Sequence, residues 1–225
     1  IFTYSKKIKN FPVKMLHKNF VIKPLLRKDI VFTKIKSKKK KNFFSLLIIG
    51  GSQGAKKFDD LFANDLIKLS KKNKIKIFHQ TSKENLKILK KFYFSKNVSF
   101  NVFSFVNKLN NIIKKCDFVI TRSGASTINE LVFLNTPFLA IPFPFAKDDH
   151  QFYNAQHYAK KKLCWLIRES EVKPKFIYKF IINLIKNKKL LNQKKKNMQI
   201  FLRGYNWRKN SNLIKNLIKN EYKFR

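Results

Sequence analysis

One stretch limits this chain more than any other. Residues 43–49, FFSLLII, run apolar without alternation and end directly on Gly50-Gly51-Ser52-Gln53-Gly54. A strand with one wet face alternates apolar and polar residues. An unbroken apolar run is what a strand buried on both faces needs, and such strands sit in parallel sheets covered by helices. The next residues agree. Phe58, Leu61, Phe62, Leu66 and Leu69 recur at helical spacing and predict an amphipathic helix. Further strands are predicted over 75–79, 98–103, 117–121, 138–141 and 163–167. Helices are predicted over 84–94, 109–115, 126–134 and 152–161. Strands alternating with helices of this length predict an α/β fold with a doubly wound parallel sheet.

Both ends of the chain differ from this middle. Residues 1–35 are basic and irregular, with short strand candidates at 1–5 and 19–25. The run SKKKK at 37–41 reads as a solvated linker, and a domain boundary is expected near it. After Pro174 the pattern is helical throughout, with Phe176, Phe180 and Leu184 on one helix. Residues 198–202 belong to a second, and Leu213, Ile214, Leu217 and Ile218 mark a third.

The 225 residues carry 51 Lys and Arg against 12 Asp and Glu, a formal net charge of +39. A charge this large points to nucleic acid or an anionic membrane. Lys far exceeds Arg, and Lys, Asn, Ile and Phe are enriched together. That combination reads as compositional bias rather than base recognition, which leans on Arg. No nucleic-acid partner is expected, and peripheral contact with anionic lipid is. Cys116 and Cys164 have no metal-ligand spacing and are expected to be buried, reduced thiols in a cytoplasmic setting. No apolar run reaches the ~20 residues that span a bilayer. The first residue is Ile, so an amino-terminal portion is expected to be absent.

In doubly wound sheets, ligands bind at the carboxyl ends of the strands. That rule selects the loops at Gly50, Phe105, Arg122 and Pro142. The first, Gly50 to Gly54, is either a plain tight turn or an anion cradle at a helix start, and the strand-to-helix setting favours the cradle. It lacks the spacing of a P-loop or a dinucleotide fingerprint. The second is Arg122-Ser123-Gly124-Ala125-Ser126-Thr127. Ser126 or Thr127 can cap a helix there, and Glu130 can offset the helix dipole. With the loop in front of it, Glu130 is read instead as a carboxylate that takes both hydroxyls of a ribose. The third is Asp148-Asp149-His150-Gln151 with Asn154. Asp149 can cap the helix, and the amide and imidazole groups suit a sugar. Two adjacent acids before one His match no common metal set. His79 and His157 fall within or beside predicted elements and read as structural. No nucleophile, acid and base set stands out.

GGSQGA, then TRSGASTINEL, then PFPFAKDDHQFYNA, in that order, resemble the carboxyl-terminal domain of the MurG family, glycosyltransferase family 28. The resemblance runs from about Phe20 to the end. It implies a Rossmann-like doubly wound sheet, the C-terminal half of a GT-B glycosyltransferase, with a helical C-terminal tail. The implied organisation is the end of an amino-terminal domain and linker over 1–35, a UDP-sugar-binding domain over 43–172, and helices over 173–225. The implied reaction is inverting transfer of N-acetylglucosamine from UDP-N-acetylglucosamine to lipid I, giving lipid II, peripherally at the cytoplasmic face of the inner membrane. No cofactor or metal is implied.

Residue by residue, the resemblance implies Ser52 at the diphosphate and the backbone of Val106, in FSFVNKL, at the uracil. It implies Ala125, Ser126 and Thr127 at the phosphates and Glu130 at the ribose. His150, Gln151 and Asn154 fall at the sugar, and Arg27, in KPLLRKDI after the family's interdomain segment, is implied as a further UDP-N-acetylglucosamine-binding residue. Lys23-Pro24-Leu25 departs from the family's Gly-Asn-Pro there, and His150 stands where some members have Gln. The family's catalytic base lies in its amino-terminal domain, so none is expected here. Two other readings are kept: the donor-binding subunit of a split transferase acting on another lipid-linked sugar, and a basic nucleic-acid-binding protein.

Overall fold

A computed structural model describes residues 2–3, 12–22, 24, 26–32 and 41–223, the side chains of 2–3, 52–55 and 220–223 excepted. The chain forms two compact units. One is Ile1–Thr33 with Leu202–Arg225, and the other is Lys34–Phe201.

In the first unit, β1 (Phe2–Thr3) pairs in parallel with β2 (Phe20–Val21), and a 3-10 turn spans Val13–Lys18. Within the strand candidates at 1–5 and 19–25, Phe2–Thr3 and Phe20–Val21 are strand, and Ile1, Tyr4, Ser5, Lys23 and Leu25 lie outside the described residues. Helix α1 (Lys28–Val31) follows, with Ile30 fully buried.

The second unit holds a sheet of six strands, all parallel: β3 (Phe44–Ile49), β4 (Ile75–Gln80), β5 (Phe100–Phe103), β6 (Phe118–Thr121), β7 (Phe138–Ala140) and β8 (Trp165–Leu166). The order across the sheet is β5-β4-β3-β6-β7-β8. The apolar run is β3, and Leu46, Leu47, Ile48 and Ile49 are all buried, as a strand covered on both faces requires. Of the SKKKK run only Lys41 is described. Its ammonium donates to Ser45 Oγ and to the Lys115 carbonyl.

Helices join the strands: α2 (Gly51–Lys72), α3 (Leu86–Ser95), α4 (Leu109–Ile113), α5 (Ala125–Phe133) and α6 (His150–Ala159). On α2, Phe58, Phe62, Leu66 and Leu69 are fully buried against the sheet, which is the stripe their spacing predicts. From the central β3–β6 pair the chain winds outward in both directions. Right-handed crossovers then put α2 and α3 on one face and α5 and α6 on the other. Helix α7 (Phe176–Lys186) returns to pack on α2, with Ile177, Ile181 and Leu184 buried. Asp65 of α2 accepts the Tyr178 N–H at 3.0 Å. Helix α8 (Lys188–Phe201) closes this unit.

The last helix, α9 (Trp207–Lys223), belongs to the first unit. Trp207 Nε1 donates to the Leu26 carbonyl at 3.1 Å, and the Tyr205 hydroxyl to the Pro24 carbonyl at 3.0 Å. The tail therefore holds its own amino-terminal segment through two aromatic donors.

A buried polar network underlies α2. Asp59 is 3% exposed; its Oδ1 lies 2.9 Å from His79 Nε2, and its Oδ2 accepts from the Thr81 hydroxyl at 2.5 Å and from the Asn85 amide. His79 Nδ1 lies 2.8 Å from the Tyr93 hydroxyl. Burial raises the phenol's pKa, helped by the Asp59 charge. His79 is thus structural, as its place within β4 implies. Cys116 and Cys164 are buried, and burial pushes the Cys164 thiol up to about 12, so it stays protonated at neutral pH.

Asp59→Ala removes the acceptor from the Thr81 hydroxyl and the Asn85 amide together, and the carboxylate beside His79. It is expected to cost about 3 kcal/mol of folding stability, measured as a lower urea midpoint at unchanged slope.

Candidate functional site

Strands β3 and β6 are neighbours, with Ile49 opposite Thr121, and their helices leave on opposite faces. This is the topological switch point of the sheet, where the carboxyl edge opens into a crevice. The loops at Gly50 and Arg122 meet there.

Both helices that start at this point begin on a glycine with no side-chain cap: Gly50 before α2 and Gly124 before α5. Gly51 has φ +67°, a conformation in which any side chain is strained, so the sharp entry into α2 depends on it. Only Gly50 is left outside the helix, because Ser52, Gln53 and Gly54 already form its first turn. The expected separate loop is therefore a helix start. The Ser52 side chain lies outside the described residues. Neither Ser126 nor Thr127 serves as the N-cap, since Gly124 holds that position. Ala125 and Ser126 are exposed and Thr127 is half-buried. Among the described residues neither helix start has a side-chain cap on its first backbone N–H groups, and the helix dipoles add partial positive charge.

Glu130 is one turn into α5 and only 6% exposed. Its Oε1 accepts from the Ser126 hydroxyl at 3.3 Å, which ties the two residues into one polar group behind the helix start.

The third cluster differs in detail from its reading in the sequence. Helix α6 starts at His150, so His150 and Gln151 are its first two residues. Gln151 Oε1 accepts two backbone N–H groups, Ser123 at 3.0 Å and Phe143 at 3.1 Å. Asn154 Nδ2 donates to the Ser123 carbonyl at 3.3 Å. The two side chains together grip the Ser123 peptide from both sides and join the β6 and β7 loops. The Gln151 side-chain carbonyl is thus committed to the fold. His150 is exposed, with Nδ1 at 2.8 Å from the Lys147 carbonyl. A carbonyl only accepts, so Nδ1 carries the hydrogen and a neutral ring offers Nε2 as an acceptor. Asp149 occupies the N-cap position without capping, because its carboxylate pairs with Arg168 instead.

Val106 is half-buried in the loop after β5. Gln80 Nε2 ties that loop to β4 through the Ser104 carbonyl at 3.3 Å. Arg27 belongs to the other unit. It precedes α1, and its Nε lies 3.6 Å from Asp29. His157, inside α6, has its pKa lowered by burial and by Lys161.

A model of the glycosyltransferase family 28 C-terminal domain matches residues 45–209. The chain belongs to glycosyltransferase family 28. A relative named UDP-N-acetylglucosamine--N-acetylmuramyl-(pentapeptide) pyrophosphoryl-undecaprenol N-acetylglucosamine transferase, from Pelagibacter ubique (strain HTCC1062), is 46% identical over 207 residues, 92% of this chain and 58% of that protein. The protein of the same name from Rickettsia bellii (strain RML369-C) is 32% identical, over 95% of this chain and 61% of its own length. The chain thus spans about three fifths of these relatives. The crystal structure of Acinetobacter baumannii MurG aligns with a TM-score of 0.66 at 24% identity, covering 86% of this chain and 54% of that one. That likeness is one of fold: the family 28 domain is a Rossmann-like half of the GT-B architecture.

The sequence reading missed one buried ion pair beside the family 28 crevice. Arg122 is 5% exposed, at the end of β6. Its guanidinium lies 2.5 Å from Glu169 and 4.1 Å over the Phe58 ring, and it donates to the Pro142 carbonyl at 3.1 Å. Burial lowers its pKa while Glu169 raises it. Arg remains charged under both influences. A cationic residue ending an apolar strand, FVITR, was the available signal for Arg122, whereas nothing local marked Glu169. Beside the pair lies a cleft of about 360 Å³, bordered by Lys57, Leu61, Pro142, Pro144, Arg168 and Ser170.

Gln151→Leu strands two loop N–H groups and is expected to cost about 2 kcal/mol, while Asn154→Ala removes one long bond and costs under about 1 kcal/mol. Chemical denaturation of both variants checks the order. Equal losses would contradict the central place given to Gln151.

Proposed function

We propose that this domain binds UDP-N-acetylglucosamine and presents it for inverting transfer of N-acetylglucosamine to lipid I, undecaprenyl-diphospho-N-acetylmuramoyl-pentapeptide, giving lipid II in peptidoglycan synthesis. The observation that carries the reading is the pair of uncapped helix N-termini at one switch point. A diphosphate is the ligand that two such termini together suit. The relatives' names supply the nucleoside and sugar on either side of it.

On this reading the first turns of α2, with Ser52, and of α5, with Ala125, Ser126 and Thr127, hold the diphosphate. Glu130 takes the ribose hydroxyls, already oriented by Ser126. The Val106 backbone reads the uracil. His150 Nε2, the Gln151 amide and Asn154 meet the sugar hydroxyls. When the glycosidic bond breaks, negative charge grows on the departing UDP, and the helix N-termini stabilise it without rearranging. The residues named bind and orient the donor, and the base that activates the acceptor hydroxyl is not among them.

The charge of +39 supports peripheral contact with anionic lipid at the cytoplasmic face of the plasma membrane. Among the described residues no helix is long and apolar enough to cross a membrane.

Isothermal titration of the chain with UDP tests the site. Binding is expected, and Glu130→Ala is expected to weaken it about tenfold. An unchanged affinity in that variant would remove Glu130 from the site, and absence of UDP binding would sink the donor reading.

A further inference from the structure

Resting on that donor reading, we infer that Arg168 is a positioning residue for sugar recognition: it clamps the turn at Asp148 and Asp149 and thereby fixes the acceptor nitrogen that His150 offers to the sugar. The resemblance to family 28 assigns Arg168 no role.

The need for a clamp comes from the backbone. Asp148 and Asp149 both have φ 52° and ψ 26°, two successive residues in the left-handed region. Side chains adopt it only where surrounding contacts enforce it. Asp is among the residues that tolerate it singly, and two in succession require an external hold. The Lys147 carbonyl sits at the start of this turn and His150 at its end. The hydrogen bond between them, 2.8 Å at His150 Nδ1, exists only while the turn keeps its shape. That bond holds the ring with Nδ1–H inward and Nε2 outward.

Arg168 supplies the hold. Its NH2 lies 2.8 Å from Asp149 Oδ2 and its NH1 3.4 Å from Oδ1, a two-pronged contact. The guanidinium also stacks on the Phe152 ring, with Cζ 3.8 Å from the centroid. Phe152 is the third residue of α6, so one guanidinium ties the turn to the helix that the turn opens. Arg168 is itself anchored. Its N–H donates to Glu171 Oε2 at 2.8 Å, closing a 3-10 turn whose first residue, Glu169, pairs with buried Arg122. The clamp thus stands at the turn that follows β8. The Arg168 and Asp149 side chains are 45% and 33% exposed, so their charge attraction alone is screened and weak. Planar two-pronged geometry with a ring beneath is what only Arg provides, and Lys cannot reproduce it.

The chain is titrated with UDP and with UDP-N-acetylglucosamine as it stands and as Arg168→Ala, Arg168→Lys, Asp149→Asn and the Arg168→Ala/Asp149→Asn double variant. The unaltered chain is expected to prefer the sugar nucleotide. Arg168→Ala is expected to lower that preference roughly fivefold with UDP affinity unchanged. Arg168→Lys should restore little of it, and the double variant should lose no more than either single one. The ¹⁵N shifts of the His150 ring should report one tautomer in the unaltered chain and a mixture in Arg168→Ala. Absence of UDP binding by the unaltered chain overturns the donor reading and this inference with it. UDP binding with no preference for the sugar nucleotide, a preference that survives Arg168→Ala, or an equal loss of both ligands, overturns the clamp alone.

Discussion

The pairing of β3 with β6 is the constraint from which the rest of the second unit follows. Two strands far apart in sequence lie side by side, and each is buried on both faces. Neither can turn back on its own side, so their helices must leave in opposite directions. The gap between those helices is the crevice, and both uncapped starts open into it. Nothing at the carboxyl edge would converge if the strand order were sequential.

Polar groups then hold this edge in place where apolar packing cannot. Gln151 and Asn154 grip one peptide, and Arg122 ties β6, the β7 loop and the turn after β8 through carbonyls, a carboxylate and two aromatic rings. Loops joined this way keep a fixed geometry before any ligand arrives, which is what recognition of a charged leaving group requires. The buried Asp59 network does the same one layer down, between α2 and the start of α3.

Much of the fold was legible in the sequence because it rests on periodicity. The apolar run at 43–49 and the helical stripe on α2 each reflect burial, and burial writes itself into residue type. The strand at 163–167 shrank to two residues because it lies at the sheet edge, with a partner on one side only. Side-chain pairing left no such trace. That Gln151 bonds backbone rather than facing outward with both ends, or that Asp149 abandons the cap for Arg168, depends on partners 8 to 28 residues away. Glu169 is the clearest case, since nothing around it in the chain distinguishes it from a surface acid, yet it neutralises the one buried guanidinium described beside the crevice.

That neutralised pair bears on how the chain responds to ionic strength. The Arg122 and Glu169 side chains are 6% and 13% exposed, so dissolved ions reach them poorly. The mutual repulsion of a +39 surface is a different matter, because it acts through water and is screened within about 8 Å at physiological salt. Added salt therefore relieves what opposes folding and spares what supports it. A protein held together by surface pairs loosens in brine, and this one is built to tighten.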